Sequence, residues 1–199
     1  VLRLVGSEMC IRDRYYSAPS PEPKNHSMRV AAAPFQADKS PSWLIADLRS
    51  DHAGELGAVM IYTGILAVSR DRAVREFARE HLHTEQQHLE LMESVLPPSL
   101  RSKAQLPWRA AGWLIGALPS LIGKHWVYAT IEAVETFVDE HYGEQINRLK
   151  LEASNDSLRK MLEACRADEI AHMRDAAARR RGTPSFVMKL WLKTCLLYT

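Results

Sequence analysis

Glu85-Gln86-Gln87-His88 is spelled again, eighty-four residues downstream, as Glu169-Ile170-Ala171-His172. A Glu and a His three apart stand one above the other on one face of a helix. There a carboxylate oxygen and an imidazole nitrogen can meet one metal ion. A single pair carries no weight, because fifteen Glu and eight His in 199 residues supply roughly 0.6 such pairs by chance. A third copy, Glu80-His81-Leu82-His83, lies five residues before the first. Five residues turn a helix by about 500°, so the two pairs point about 140° apart. Leu82, Leu89, Met92 and Leu96 share the face of Glu85, whereas Glu80 sits nearer Glu76 and Gln87. The spacing turns Glu85 and His88 inward and leaves Glu80 and His83 as a solvated pair.

Outward from these pairs, helical periodicity divides the chain. Ser40-Pro41-Ser42 reads as an N-cap followed by a first-turn proline. From Ser42 to about Val68, Ile45, Leu48, Val59, Tyr62 and Leu66 keep helical spacing, and Glu55 falls on their stripe. Gly54 and Gly57 each cost about 1 kcal/mol of helix propensity, which makes sense where something must approach closely. Asp71 opens a second helix that runs to Leu96 and stops at Pro97-Pro98. A third long helix, His125 to about Ala153, carries Tyr128, Ile131, Glu135, Val138, Tyr142 and Leu149 on one stripe. After the Asn155-Asp156-Ser157 turn, a fourth from Leu158 to about Arg180 aligns Leu158, Leu162, Cys165, Glu169, His172 and Ala176. Strand signals are absent, and the class is all-α.

Each half of the chain thus has a helix giving one Glu and then a helix giving a Glu-x-x-His pair. Glu55 precedes Glu85, with its His88, by thirty residues counted Glu to Glu, and Glu135 precedes Glu169, with its His172, by thirty-four. That set is the one used by di-iron carboxylate bundles. Four carboxylates carry about −4 of charge and match two divalent ions, and six oxygen and nitrogen ligands leave coordination positions open. Without metal, four buried carboxylates would repel and desolvate one another. The stripes contain no Lys, and Arg49 is the nearest arginine.

Residues 43 to 180 resemble the demethoxyubiquinone hydroxylases, the ferritin-like di-iron monooxygenases of ubiquinone biosynthesis. The resemblance rests on Asp51-His52-Ala53-Gly54-Glu55-Leu56-Gly57-Ala58 with Ile61-Tyr62, on Glu85-x-x-His88, and on Gly123-Lys124. It continues through Ala133-Val134-Glu135, His141-Tyr142, Gln145-Ile146 and Asp168-Glu169-x-x-His172. It implies that Glu55 and His88 bind one iron, Glu135 and His172 the other, and that Glu85 and Glu169 bridge them. It further implies hydroxylation of the ring of a polyprenylated demethoxy-quinone with dioxygen and an external reductant, NADH being expected. A homo-oligomer and a lipid-binding accessory protein of the quinone pathway are expected partners. Tyr142 resembles the family's tyrosine near the site, as an electron carrier, a quinone-positioning group or a packing residue. His52, three before Glu55, is expected to hydrogen-bond a ligand or to serve as a cap or core residue. Asp51 is expected to orient a ligating histidine through its free ring nitrogen. The expected architecture is a ferritin-like four-helix bundle over 41–181 with an additional apolar helical hairpin.

That hairpin is read from Leu106 to Gly123, apolar nearly all round and interrupted by Pro119. Extended to Trp126, it is too short to span a bilayer, and Pro119 is expected to break a single helix. Tryptophans at its edges suit a headgroup boundary, so it is read as an interfacial segment resting on a membrane, with a buried cap on the bundle as the alternative. Apolar content of 46%, 25% charge and a formal charge of +2 describe an ordinary globular chain with no basic stripe for nucleic acid. The three cysteines lack metal spacing and indicate a reducing compartment. The expected location is the cytoplasmic face of a bacterial inner membrane, or the matrix side of the mitochondrial one. Residues 1–40 read as a disordered tail; 1–14 and the closing Cys195-Leu196-Leu197-Tyr198-Thr199 resemble translated sequencing adapter, with Met28 as a start. Residues 184–199 are read as a short, truncated apolar helix, and Arg179, Arg180 and Arg181 as complements to a helix C-terminus. Two rival readings remain open: another di-iron hydroxylase acting on tRNA or a small molecule, and an iron-storage ferroxidase.

Overall fold

The apolar stripes each need a partner, and four of them find it in one another. The computed structural model describes residues 36–152 and 155–196. Its elements are α1 (Ser42–Val68), α2 (Arg72–Val95), α3 (Gln105–Ile122), α4 (Lys124–Glu152), α5 (Asp156–Arg179) and α6 (Phe186–Leu196), with short 3-10 turns at Ala37–Lys39 and Pro98–Leu100. No strand occurs among the described residues, and the architecture is the all-helical, ferritin-like bundle. The connections from α1 to α2 and from α4 to α5 are only a few residues long, so each pair packs antiparallel. Of the tail reading over 1–40, residues 1–35 lie outside the described residues, and 36–40 hold the 3-10 turn Ala37–Lys39.

Local chemistry sets the helix ends. The Asp71 carboxylate accepts from the backbone N–H of Ala73 and Val74 and starts α2. The Asn155 side chain accepts from the Leu158 N–H and starts α5. At α1 the expected Ser40 cap does not form. The cap position is Pro41, and the Ser40 hydroxyl donates instead to the Gln36 carbonyl at 2.9 Å. The arginines at the end of α5 also serve side chains: Arg179, in the last turn, pairs with Asp175, and Arg180, at the cap position, clamps Glu132 on α4.

Two apolar clusters fill the bundle. One gathers Leu44, Leu48, Met92, Leu96, Tyr142, Ile146, Leu149 and Leu162, and the other gathers Ile61, Tyr62, Ile65, Phe77, Tyr128, Ile131 and Val134. Along each of α1, α2, α4 and α5, the candidate ligands fall between the residues given to one cluster and those given to the other. The bundle is therefore two apolar plugs with a polar band between them. Each fully buried Leu or Phe contributes about 1.5–3 kcal/mol, so the plugs can offset a band that would not be stable alone.

The segment from Leu106 to Gly123 corrects the expected break. It is one continuous helix, α3, and Pro119 lies buried inside it. A proline there removes only the donor to the Ile115 carbonyl, one turn from the helix end, and the cost is met by close packing on α1. A Cβ added at Gly112 would come within 2.6 Å of the Gly57 carbonyl oxygen, and one at Gly116 would collide with the Ile61 carbonyl. The chain turns at Gly123, whose φ of 145° is costly for any other residue, and α4 begins. So α3 is one arm packed against α1 and α4, and it is not a hairpin by itself. Its other face leaves Leu106, Leu114, Leu118, Leu121 and Ile122 exposed. No helix among the described residues is long and apolar enough to cross a membrane. The C-terminal α6 lies against α4, where Trp191 donates to the Thr130 hydroxyl at 2.9 Å. Cys195, read from the sequence as appended, is buried in the core there.

Candidate metal centre

Glu85 and His88 face inward because α2 places Phe77, Glu85, His88 and Met92 on its buried side. Glu80 and His83 are exposed on the other side. On α5 the same geometry buries Cys165, Glu169, His172 and Ala176. Glu55 on α1 and Glu135 on α4 complete the set, and none of the six residues is more than 4% exposed.

The six fall into two overlapping groups. Single ligand atoms of Glu55, Glu85, His88 and Glu169 lie within 4.8 Å of one another, as do those of Glu85, Glu135, Glu169 and His172. Glu85 and Glu169 belong to both. His88 Nδ1 is 2.9 Å from Glu169 Oε1 and 3.7 Å from Glu55 Oε2. His172 Nδ1 is 2.9 Å from Glu85 Oε1 and 3.3 Å from Glu169 Oε2.

These contacts are ion pairs by distance, but none is an aligned hydrogen bond. Both oxygens of Glu85, both of Glu169, and Nδ1 of His88 and of His172 are buried without a hydrogen-bond partner. Nor does any Lys or Arg among the described residues pair with the four carboxylates. Orphaned buried polar atoms on this scale cost about 1–3 kcal/mol each, more where charged, unless something satisfies them together. A shared pair of divalent cations would do so, and the donor set fits: hard oxygens with imidazole nitrogens suit iron. Electrostatics describes the strain left without cations. Burial, together with repulsion from Glu169 and Glu85, pushes Glu55 and Glu135 well above the usual carboxylate range. Burial opposes charge on His88 and His172, but the neighbouring carboxylates hold both rings well above the ordinary histidine value. Burial opposes charge on Glu169 too, yet those two rings hold its carboxyl low.

A second layer orients the first, and here the two halves answer each other crosswise. Tyr142, seven residues after Glu135 on α4, donates to Glu55 Oε1 at 2.5 Å. Tyr62, seven residues after Glu55 on α1, donates to Glu135 Oε1 at 3.0 Å. Periodicity alone treats Tyr62 as a packing residue; the matching seven-residue offset from each Glu is the signal that pairs it with Tyr142. Behind His88, Nε2 lies 3.2 Å from Asp168 Oδ2, which fixes the ring so that Nδ1 faces the centre. That bracing was expected of Asp51, and Asp51 does not supply it. Its carboxylate instead accepts from His141 Nε2 at 2.9 Å and from Gln145 Nε2 at 2.8 Å. His52 is buried but points to Glu93 at 3.5 Å, with both ring nitrogens lacking hydrogen bonds, so it does not bond a candidate ligand. Arg49 donates to the Leu100 carbonyl, away from the centre.

A cavity of about 310 Å³ opens on one side of the centre. Glu55, Glu85, Glu135, Glu169 and Tyr142 form its inner wall, and Trp108, Phe137 and His141 line it farther out. Gly54 and Gly57 border it, and a Cβ at either would meet nothing within 4 Å. The close approach expected at these glycines holds for the Gly57 carbonyl against α3, while their missing side chains leave the cavity open. Tyr62, His88 and His172 are not part of its wall. On their side, Phe77, His81 and Tyr128 close the bundle; His81 packs edge-on against His172 with ring centroids 4.2 Å apart.

The family model described as ubiquinone biosynthesis protein COQ7 matches residues 43–195. The chain is similar to a protein of Dictyostelium discoideum named NADPH-dependent 3-demethoxyubiquinone 3-hydroxylase, mitochondrial. The two are 33% identical over 132 residues, 63% of this chain and 59% of that protein. A protein of the same name from Caenorhabditis elegans is 30% identical over 156 residues, 73% of this chain and 80% of the relative. The 3-demethoxyubiquinol 3-hydroxylase of Rhodospirillum rubrum is 34% identical over 141 residues, 66% of each. The chain thus spans about three fifths of the Dictyostelium relative's length.

Proposed function

The chain belongs to the ubiquinone biosynthesis protein COQ7 family, and we propose on that premise that it is a di-iron monooxygenase hydroxylating the ring of a polyprenylated demethoxy-quinone or quinol. The observation that carries the reading is the buried cluster of converging carboxylates and imidazoles, most of whose oxygens and nitrogens lack a hydrogen bond, opening onto one cavity. Glu55 and His88 would hold one iron, Glu135 and His172 the other, with Glu85 and Glu169 shared. Bound there, the irons would supply dioxygen activation, with electrons from an external nicotinamide nucleotide, NADPH by the relatives' names and NADH by the resemblance.

The chain's own residues do the rest. Tyr142 and Tyr62 each hold one carboxylate by a hydrogen bond, and Asp168 holds the His88 ring, so the ligands need not reorganise during turnover. The aromatic cluster of Phe77, His81 and Tyr128 keeps water from one side. Gly54 and Gly57 keep the other side open to a flat ring. The exposed leucines of α3, with Phe186, Val187 and Leu190 of α6, form apolar surface suited to a membrane interface, from which a lipid quinone would enter. Relatives named mitochondrial and relatives from bacteria keep both expected locations in this reading: the cytoplasmic face of a bacterial inner membrane, or the matrix side of the mitochondrial one. A homo-oligomer and a lipid-binding accessory protein belong to the same reading. Turnover with isotopically labelled dioxygen tests it: one labelled oxygen should enter the ring of a demethoxy-quinone. Iron-loaded protein that oxidises Fe(II) but never labels the quinone would place the chain among ferroxidases.

A further inference from the structure

Asp51 is a buried carboxylate that belongs to no candidate metal group. Its side chain is wholly shielded from solvent, while that of its partner His141 is 30% exposed and lines the cavity. A buried carboxylate is stable only if it is hydrogen-bonded, and this one takes His141 on one oxygen and Gln145 on the other. Asp51 thereby commits the His141 Nε2 nitrogen. Nδ1 makes no hydrogen bond within the described protein. The ring is further fixed by Phe137, stacked at 13° with centroids 6.4 Å apart. A cavity-lining histidine oriented by a buried carboxylate, with its second nitrogen uncommitted, has the build of a group prepared for a third partner.

We propose that this third partner is a ring oxygen of the quinone substrate, with His141 orienting the ring by a hydrogen bond from Nδ1 and exchanging a proton with it. The inference rests on the function proposed above. It adds a substrate-binding residue outside the metal ligands, at the outer part of the same cavity. With Asp51 holding the proton on Nε2, a neutral ring presents the Nδ1 lone pair to a quinol hydroxyl. A protonated ring presents Nδ1–H to a quinone carbonyl. In the first case the O–H bond breaks, the proton joins Nδ1, and a phenolate remains beside an imidazolium whose charge faces Asp51. In the second the same proton is offered to the carbonyl oxygen. No electrons change hands in either. Asp47 and Asp51 of α1 and Glu144 of α4 face the ring, and Arg148 faces Asp47. The hydrogen bond from Asp51 raises the imidazole above its ordinary value against the opposing effect of burial.

The test compares binding of two short-chain, water-soluble probes to iron-loaded protein: a demethoxy-benzoquinone and the matching methoxy-arene with hydrogens in place of the ring oxygens. The wild type should prefer the quinone by about tenfold or more, as for a hydrogen bond to a charged group. His141→Phe, which keeps the stack on Phe137, should bind both probes alike and retain its iron. Affinity for the quinone should fall in the wild type as pH rises through the raised histidine value, because Nδ1–H is lost. In Asp51→Asn that midpoint should move to lower pH, an arm that does not depend on how His141→Phe folds. A preference that survives in His141→Phe, or a midpoint unmoved in Asp51→Asn, overturns the proposal while leaving the proposed function standing. A wild type that binds neither probe sinks the proposed function itself, and the role of His141 with it.

Discussion

The α1–α2 half and the α4–α5 half contribute the same groups in the same order: a lone Glu, then a Glu-x-x-His pair, with a tyrosine seven residues after the lone Glu. The tyrosines cross over, so that each half holds the other's carboxylate. What differs is the surroundings. Tyr142 stands in the wall of the cavity, whereas Tyr62 is packed among Phe77, His81 and His172. His88 is braced by Asp168, and His172 is backed by the His81 ring. A near-twofold arrangement of ligands therefore sits in an asymmetric frame, with one open side and one closed. In the proposed reading the symmetry would serve metal holding, and the asymmetry would decide from which side a substrate enters.

The largest effect should come from the residues the halves share. Glu85→Gln or Glu169→Gln removes an anion from both groups, so iron should be lost from both, with the fold kept because carboxylate repulsion is relieved. Glu55→Gln and Glu135→Gln touch one group each and should lower iron content by about half. Elemental analysis separates the cases, and equal losses from all four variants would erase the distinction between shared and private ligands.

Metal removal comes next. In the stripped protein, Glu55 and Glu135 have raised folded pKa values, so the folded state binds more protons than the unfolded one above the ordinary carboxylate range. The raised His88 and His172 act in the same direction, contributing stability at low pH that is lost as pH rises. Glu169, held low, is affected only below its ordinary value and does not enter this window. Stripped protein should therefore melt higher at pH 5.5 than at pH 8, and iron-loaded protein should show little of this trend. Calorimetry at the two pH values checks it; a flat profile for the stripped protein would mean that the band is not electrostatically strained.

A smaller effect should distinguish the open side from the closed one. Tyr142→Phe and Tyr62→Phe each delete one hydrogen bond to a buried carboxylate, worth about 1.5–3 kcal/mol, and should lower Tm by several degrees. Only Tyr142→Phe should also slow quinone turnover, by about tenfold, because only Tyr142 borders the cavity. The smallest effect is the control: Glu80→Gln with His83→Gln, both exposed, should leave iron content unchanged.

Much of this was legible in the residues. Stripes such as Leu158, Leu162, Cys165, Glu169, His172 and Ala176 fix which way a helix faces, and six polar groups on four such stripes can only converge. Partners across the fold were not legible. Asp51 and His141 are ninety residues apart, and no local pattern says that one carboxylate serves a cavity histidine while Asp168 serves a ligand. Pro119 misled for a related reason. Read alone it is a helix breaker, and only the contact of Gly112 and Gly116 with the α1 backbone explains why α3 continues through it.

The central claim is that two metal ions share one band of ligands drawn equally from both halves. Anomalous diffraction at the iron edge from crystals of iron-loaded protein tests it most directly. Two peaks are expected: one among Glu55, His88, Glu85 and Glu169, the other among Glu135, His172, Glu85 and Glu169. A single peak held by one half, or iron seated at exposed residues such as Glu80 and His83, would contradict it.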